Sequence, residues 1–268
     1  MNQRIYRSAF ICGHALFLLL IATYIIGCGG DQPAPPKRPS TTTTSTKPKI
    51  VETSTTGTAS ISGIINFSGA VPKLKAVDMG AVAECKEQHS SDVISEALVL
   101  GENNTVGNVV VKIKSGLPSN AKYDPPTAPV EMDQVGCIYT PHVLGVQAGQ
   151  TVKFKNSDSV PHNVHTLSEK NKAFNKAVNK GGELEMAYDE EETFFVKCDI
   201  HPWMKSYVSV ISHPFFHVTQ KDGKYQIQDL PAGKYTVEIW HERLGEQTKE
   251  IEVADGQSVQ LDFTLSKS

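Results

Sequence analysis

Apolar and polar residues alternate over short stretches of this chain, which is the pattern of half-buried β-strands. Val152 and Phe154 alternate with lysines, and residues 235–240 alternate in the same way. Short runs rich in Val, Ile and Thr recur between glycines and prolines. No stretch beyond residue 100 keeps the 3.6-residue apolar period of a helix. The pattern predicts an all-β fold with many turns.

The longest apolar run lies near the N-terminus. Residues 15–26 are almost entirely apolar, follow the basic residues Arg4 and Arg7, and lead into Cys28. The sequence Ile-Ile-Gly-Cys at their end resembles a bacterial lipobox, in which cleavage before the cysteine leaves it as a lipid-bearing N-terminus. We therefore predict a lipoprotein signal peptide over residues 1–27, with lipidation at Cys28.

An uncleaved transmembrane anchor over residues 10–27 is the alternative, although Gly13 and His14 interrupt that stretch and its apolar core is short for a span. Both interpretations place the rest of the chain outside the cytoplasm, as an exported protein that is periplasmic or on the cell surface. Residues 28–57 are rich in Pro and Thr and cannot bury enough apolar surface to fold. They are predicted to be a disordered tether.

Length and charge limit the remaining possibilities. A chain of 268 residues has room for two small domains, and its 39% hydrophobic content is enough for a core in each. The formal net charge is only −3. Nucleic-acid binding normally needs a strongly basic surface, so no nucleic-acid partner is expected.

Two segments carry the candidate chemistry. In residues 151–165 an alternating strand is followed by a Pro-containing turn and a histidine, and in residues 193–210 an apolar strand leads into a loop with Cys, His and Met. Thiolate, imidazole and thioether form a soft ligand set, and two His, one Cys and a weak axial Met suit copper. The predicted ligands of a mononuclear copper site are His162, Cys198, His201 and Met204.

Other interpretations of these residues stay open. Cys198 is a small side chain that also suits a core, and Met204 beside Trp203 is compatible with core packing. Zinc binds Cys and His as well, but it does not account for the Met. Side chains alternate between the faces of a strand, so His165 should point away from a metal held by His162. A surface position, a supporting role and an additional metal ligand are all open for His165.

The cysteines fit an oxidising compartment. Cys12 lies in the signal segment and Cys28 is assigned to the lipid, which leaves three. Two of three cysteines in an exported protein are expected to pair. Because Cys198 belongs to the metal motif, the predicted disulfide joins Cys85 and Cys137.

The first segment is similar to a known family. Residues 154–164, with Phe-Lys-Asn-Ser and then Pro-His-Asn-Val, closely resemble the plastocyanin segment with the upstream copper histidine. Residues 139–149 resemble the family's Pro-x-x-Leu-x-Val-x-x-Gly strand and turn. The resemblance covers residues 125–212 and implies a cupredoxin, a Greek-key β-sandwich whose remaining Cys, His and Met ligands lie on one late loop, as Cys198, His201 and Met204 do here.

The loop departs from plastocyanin at one point, since only two residues separate His201 from Met204. This spacing resembles the binuclear copper loop of cytochrome oxidase subunit II. That site needs a second loop cysteine, and none lies between Cys137 and Cys198. A mononuclear site is therefore favoured.

A second resemblance lies near the C-terminus. The order Thr-x-x-Asp-Gly-x-Tyr and then Leu-Pro-x-Gly-x-Tyr over residues 219–235 resembles the carboxypeptidase regulatory-like, transthyretin-like β-sandwich. Strands typical of the start of that family occur earlier, so we predict a discontinuous sandwich of residues 58–118 and 214–268 with a cupredoxin of residues 119–213 inserted. Three consecutive units, or residues 58–118 as an extension of the cupredoxin, are the alternatives.

These features predict a function. The leading hypothesis is electron transfer by a membrane-tethered mononuclear copper protein with an unidentified redox partner protein and a lipid anchor. Four protein ligands leave no open position for a substrate, so we expect no enzyme activity. Copper delivery or sequestration is the second hypothesis, and a non-redox adhesion or assembly module is the third.

Overall fold

The computed structural model describes residues 55–267. The predicted signal peptide, Cys28 and most of the predicted tether lie outside these residues. The described part of the chain contains no helix with the length and apolar character of a membrane span. It is almost entirely β-structure, which confirms the all-β prediction.

The regular elements are short strands with one helical turn and one 3-10 turn between them. The helical turn α1 is Ala83–Lys86, and the 3-10 turn is Glu102–Asn104. The strands are β1 (Ala59–Ser68), β2 (Val110–Ser115), β3 (Val130–Val135), β4 (Ile138–Thr140), β5 (Val143–Gln147), β6 (Thr151–Asn156), β7 (His162–Leu167), β8 (Asn175–Val178), β9 (Glu183–Ala187), β10 (Glu192–Lys197), β11 (Lys205–Ile211), β12 (Phe216–Val218), β13 (Lys224–Leu230), β14 (Gly233–His241), β15 (Gly245–Val253), β16 (Ser258–Gln260) and β17 (Phe263–Ser266).

The strands form two β-sandwiches, each with its own core. In the first sandwich, the sheet β13-β1-β16, with β17 also paired to β1, faces the sheet β12-β2-β14-β15. In the second sandwich, the sheet β5-β11-β10-β7-β8 faces the sheet β4-β3-β6-β9. We call these the outer sandwich and the copper-motif sandwich, because the predicted ligands lie in the second.

The outer sandwich combines strands from both ends of the described chain. Alternate residues of β1 are buried, among them Ile61 and Ile65, as expected for a strand with one face in a core. β1 pairs in antiparallel fashion with β13 and in parallel fashion with β16 and β17. β2 lies between β12 and β14. Strands that precede the copper-motif sandwich in sequence therefore pair with strands that follow it.

One loop within the predicted range 58–118 leaves the outer sandwich. Ala76 and Ile94 form an isolated bridge, and the Val77 amide donates to the Val93 carbonyl at 2.8 Å, so the base of the loop is closed. Met79 and Cys85 inside the loop are buried in the core of the copper-motif sandwich. We call residues 76–94 the covering loop.

A small apolar cluster joins the two sandwiches. Val110 of the outer sandwich packs with Val143 and Ile211 of the copper-motif sandwich. The rings of Tyr207 and Trp240 meet beside them, with centroids 5.1 Å apart. Because these contacts are apolar and buried, they fix the sheet that carries the site against the outer sandwich.

Candidate metal centre

The second predicted segment forms a tight loop between two paired strands. β10 ends at Lys197, Cys198 follows it directly, and β11 begins at Lys205. The Cys198 amide donates to the Met204 carbonyl at 3.2 Å, and the Met204 amide donates to the His201 carbonyl at 2.9 Å. These bonds fold the loop back on itself and bring the His201 ring towards the Cys198 sulfur.

The structure brings three of the predicted ligands together. His162 is the first residue of β7, and its Nδ1 lies 2.8 Å from Nδ1 of His201. The Cys198 Sγ lies 3.8 Å from the same His201 atom. One ligand atom from each of the three residues lies within 4.8 Å of the other two, and all three residues are buried. Met204 is fully buried in the same core cluster as Cys198.

The sequence analysis did not identify the carboxylate that supports His162. The His162 Nε2–H donates to Oδ2 of Asp158 at 2.7 Å. The two oxygens of Asp158 also accept the backbone N–H groups of Gly136 and Cys137 at 2.7 and 2.8 Å. A carboxylate on the far nitrogen fixes the ring orientation and tautomer of a metal-ligating histidine. The bond to Asp158 therefore makes Nδ1, which faces His201, the His162 nitrogen with the lone pair.

Asn163 ties β7 to the Cys198 loop. Its Oδ1 accepts the Asp199 backbone N–H at 2.7 Å and the Cys198 thiol at 3.2 Å. Its backbone carbonyl accepts the Tyr139 hydroxyl at 2.7 Å. Because Asn163 follows His162 directly, the two sides of the candidate site are held at a fixed separation.

The pKa shifts of Cys198 and His201 favour metal binding, whereas for His162 the effect of burial is outweighed by the hydrogen bonds to Asp158 and Cys198, which raise the pKa above its ordinary value. Burial raises the pKa of the Cys198 thiol, but hydrogen bonds from His162 and from neighbouring backbone groups outweigh it and hold the pKa below its ordinary value. Burial and the nearby His162 lower the pKa of His201. A more acidic thiol and a more weakly basic imidazole both lose protons more readily, and metal ligands must be deprotonated.

His165 lies on the opposite face of β7, as strand alternation predicts. Its Nδ1 lies 2.9 Å from Oδ2 of Asp199, and 27% of its side chain is exposed. Lys197 pairs with the same carboxylate at 2.9 Å. Among the described residues, the His162, Cys198 and His201 cluster does not include His165.

The structure contains the disulfide between Cys85 and Cys137, and it lies beside the candidate site. A ring nitrogen of His201 and the two sulfurs all lie within 4.8 Å of one another. Trp203 Nε1–H donates to the Cys137 carbonyl at 3.0 Å, and its ring packs on His201 with centroids 5.1 Å apart. The cysteine count predicted this pairing without indicating its position next to a ligand.

The donor set fits copper. It offers one thiol, two imidazoles whose Nδ1 atoms face each other, and a thioether buried in the same core. Soft sulfur ligands with imidazole select copper over hard cations, which prefer oxygen.

Two family models match the chain. Residues 127–211 match the copper binding proteins of the plastocyanin/azurin family, and residues 208–266 match the carboxypeptidase regulatory-like domain. These matches confirm the two resemblances inferred from the sequence. The comparison with curated proteins found no match.

The similar solved structures include cupredoxins. A purple cupredoxin from Nitrosopumilus maritimus is 29% identical, with 31% of this chain and 99% of that one covered and a TM-score of 0.28. A mutant of amicyanin in its Cu(I) form is 24% identical, with 38% and 98% covered and a TM-score of 0.29. A copper-containing nitrite reductase from Thermus scotoductus is 24% identical, with 36% of this chain but only 25% of the enzyme covered and a TM-score of 0.31.

Proposed function

We propose that this protein is a mononuclear copper protein for electron transfer outside the cytoplasm. His162, Cys198 and His201 would hold the metal, with Met204 as the fourth, axial ligand. The observation that carries the proposal is the buried cluster of one thiol and two facing imidazole nitrogens. When bound to such ligands, copper supplies a one-electron couple.

The surrounding residues support this role because they fix the ligands. Asp158 holds the His162 ring through Nε2, and Asn163 holds the start of the Cys198 loop. Ligands fixed by their own hydrogen bonds move little when the charge at the site changes, which favours electron exchange. Four protein ligands also leave no open position for a substrate, so we propose no catalytic activity.

The location is part of the same proposal. A lipid on Cys28 would anchor the chain to a membrane, and residues 28–57 would hold the folded part away from the membrane surface. The partner would be a redox protein outside the cytoplasm. A disulfide in the folded part is consistent with an oxidising compartment.

The test is the absorption spectrum and voltammetry of the copper-loaded protein. The wild-type protein should show an intense thiolate-to-copper band and a reversible one-electron wave. Cys198→Ser should abolish the band, because the hydroxyl that replaces the thiol is not a soft ligand. His201→Gln should lose the wild-type spectrum, whereas the matched control His165→Gln should keep it.

Other outcomes would favour other functions. Retention of the band in Cys198→Ser would refute the ligand assignment. Tight Cu(I) binding without a reversible wave would favour copper delivery or sequestration. Absence of copper after reconstitution would favour the adhesion or assembly hypothesis.

A further inference from the structure

The covering loop, residues 76–94, is added to the copper-motif sandwich from outside it. The match to the plastocyanin/azurin family begins only at residue 127. The loop leaves the chain between β1 and β2, and its two ends are hydrogen-bonded to each other through Val77 and Val93. The covering loop is therefore closed at its base, and the contacts of its far end determine its position.

Three contacts fix that far end to the turn between β3 and β4. Cys85 forms the disulfide with Cys137, and Gln88 Nε2 approaches the Cys137 sulfur at 3.7 Å. His89 Nε2 hydrogen-bonds to the Gly136 carbonyl at 2.7 Å. Gly136 and Cys137 both have positive φ, as a two-residue hairpin turn requires. A Cβ on Gly136 would lie 2.9 Å from the His89 ring, so glycine also allows this close approach.

The fixed end of the loop covers the His201 side of the candidate site. The Cys85 and Cys137 sulfurs lie within 4.8 Å of a His201 ring nitrogen, and Met79 of the loop packs into the core that contains Met204. His201 itself is only 3% exposed, and the Trp203 ring packs on it as well.

Two residues of the Cys198 loop are more exposed than the predicted ligands. Ile200, next to His201 in sequence, is 51% exposed. Asp199, whose backbone N–H is bound by Asn163, has a side chain that is 39% exposed. Asn163 in turn accepts the Cys198 thiol. A chain of contacts therefore leads from the Cys198 thiol through Asn163 to the partly exposed Asp199.

We propose that the covering loop limits which molecules reach the copper site, because it closes the His201 side to small ligands and to partner surfaces. This inference rests on the proposed function for the identity of the metal. The coverage itself is a property of the protein without copper.

The test uses two variants that open the loop in different ways. The first replaces residues 78–92 with Asn-Gly, a two-residue turn that suits the hydrogen-bonded pair Val77 and Val93, and carries Cys137→Ala. The second, Cys85→Ala/Cys137→Ala, keeps the loop but removes its covalent attachment. Lys86→Ala is the control, because Lys86 is an exposed loop residue that forms an ion pair with the exposed Asp92 and none with the site.

The first measurement needs no copper. Diethyl pyrocarbonate modifies accessible imidazoles, and peptide mass spectrometry gives the rates at His201 and at the partly exposed reference His165. In the wild-type and Lys86→Ala proteins, His201 should react at least about tenfold more slowly than His165, because its reaction requires local opening. In the shortened variant the two rates should become similar. Equal protection of His201 in the wild-type and both opened variants would overturn the proposal.

The second measurement uses the copper-loaded protein and azide, a small anion that binds Cu(II). Azide should leave the wild-type spectrum unchanged and change that of the shortened variant. If the shortened variant fails to fold, the double alanine variant provides the same two measurements. A wild-type protein without the thiolate-to-copper band would contradict the proposed function, whereas an unprotected His201 in the wild-type protein would contradict the coverage.

Discussion

Asp158 offers the most informative single substitution in this protein. Its side chain is almost fully buried and accepts three hydrogen bonds, from Gly136 on one oxygen and from Cys137 and His162 on the other. Asparagine has one oxygen and one NH₂ group in the same volume. Asp158→Asn therefore places a donor against at least one of these N–H groups, whichever way the amide is turned.

The expected magnitude follows from these contacts. Loss of a carboxylate behind a metal-ligating histidine costs about 10- to 100-fold in metal affinity. Because all three bonds are buried, we expect the upper half of that range, about 30- to 100-fold, or about 2–3 kcal/mol. The unsatisfied backbone N–H should also lower the free energy of unfolding by about 1–3 kcal/mol.

Competition with a chelator measures the copper affinity, and urea unfolding measures stability. The control is Asp133→Asn, because Asp133 of β3 accepts the backbone N–H and hydroxyl of Ser157, next to Asp158, but is only partly buried and forms no hydrogen bond to His162. Nitrogen NMR on the His162 ring should show Nε2–H in the wild-type protein and a mixture of tautomers in Asp158→Asn. A copper affinity within about threefold of wild type in a folded Asp158→Asn protein would refute the reasoning.

Two further predictions concern buried residues. Met204→Leu should keep copper bound and shift the potential of the site, because an axial thioether is a weak ligand; voltammetry checks this, and loss of copper would contradict it. Burial holds the pKa of His241 at about 4, below the ordinary 6.5, so the unfolded chain binds a proton first as the pH falls. Stability from this residue is complete above pH 6.5 and should fall by about 3 kcal/mol as the pH approaches 4. Urea unfolding between pH 6.5 and pH 4 measures this loss of stability. The control is His241→Asn, which keeps an acceptor for the backbone N–H groups of Arg243 and Leu244 but should not lose stability over this pH range.

The sequence predicts the candidate ligands because their chemistry is local. His162, Cys198, His201 and Met204 are recognisable by residue type and spacing, whatever surrounds them. Asp158 is different, since an Asp between two Ser residues in a turn is what turn formation alone would favour. Its function depends on Gly136 and Cys137, which are more than 20 residues away in sequence and reach it only in the folded protein.

The fold also has some features that the local sequence pattern predicts and others that depend on contacts between distant residues. The alternation around Val152 and over residues 235–240 predicts strands with one buried face; β6 is a strand of this kind, and β14 is a strand that also buries Glu238 from its other face. The covering loop has no apolar period, so its path follows from contacts to a distant turn and not from its own sequence pattern. The cysteine count gave the disulfide partner, but the position of that disulfide beside His201 is a property of the three-dimensional structure.

The strand order of the outer sandwich also sets an order of folding. β1 bonds locally to residues 105 and 106, but its partner strands β13, β16 and β17 all come late in the chain, up to 198 positions away as between Ser60 and Ser258. The entropic cost of closing a loop grows with its length. A copper-motif sandwich that folds first shortens this loop, because its flanking strands β2 and β12 are direct neighbours. The first strand to be synthesised among the described residues is therefore expected to be among the last to find its partners, after the metal-binding part is complete.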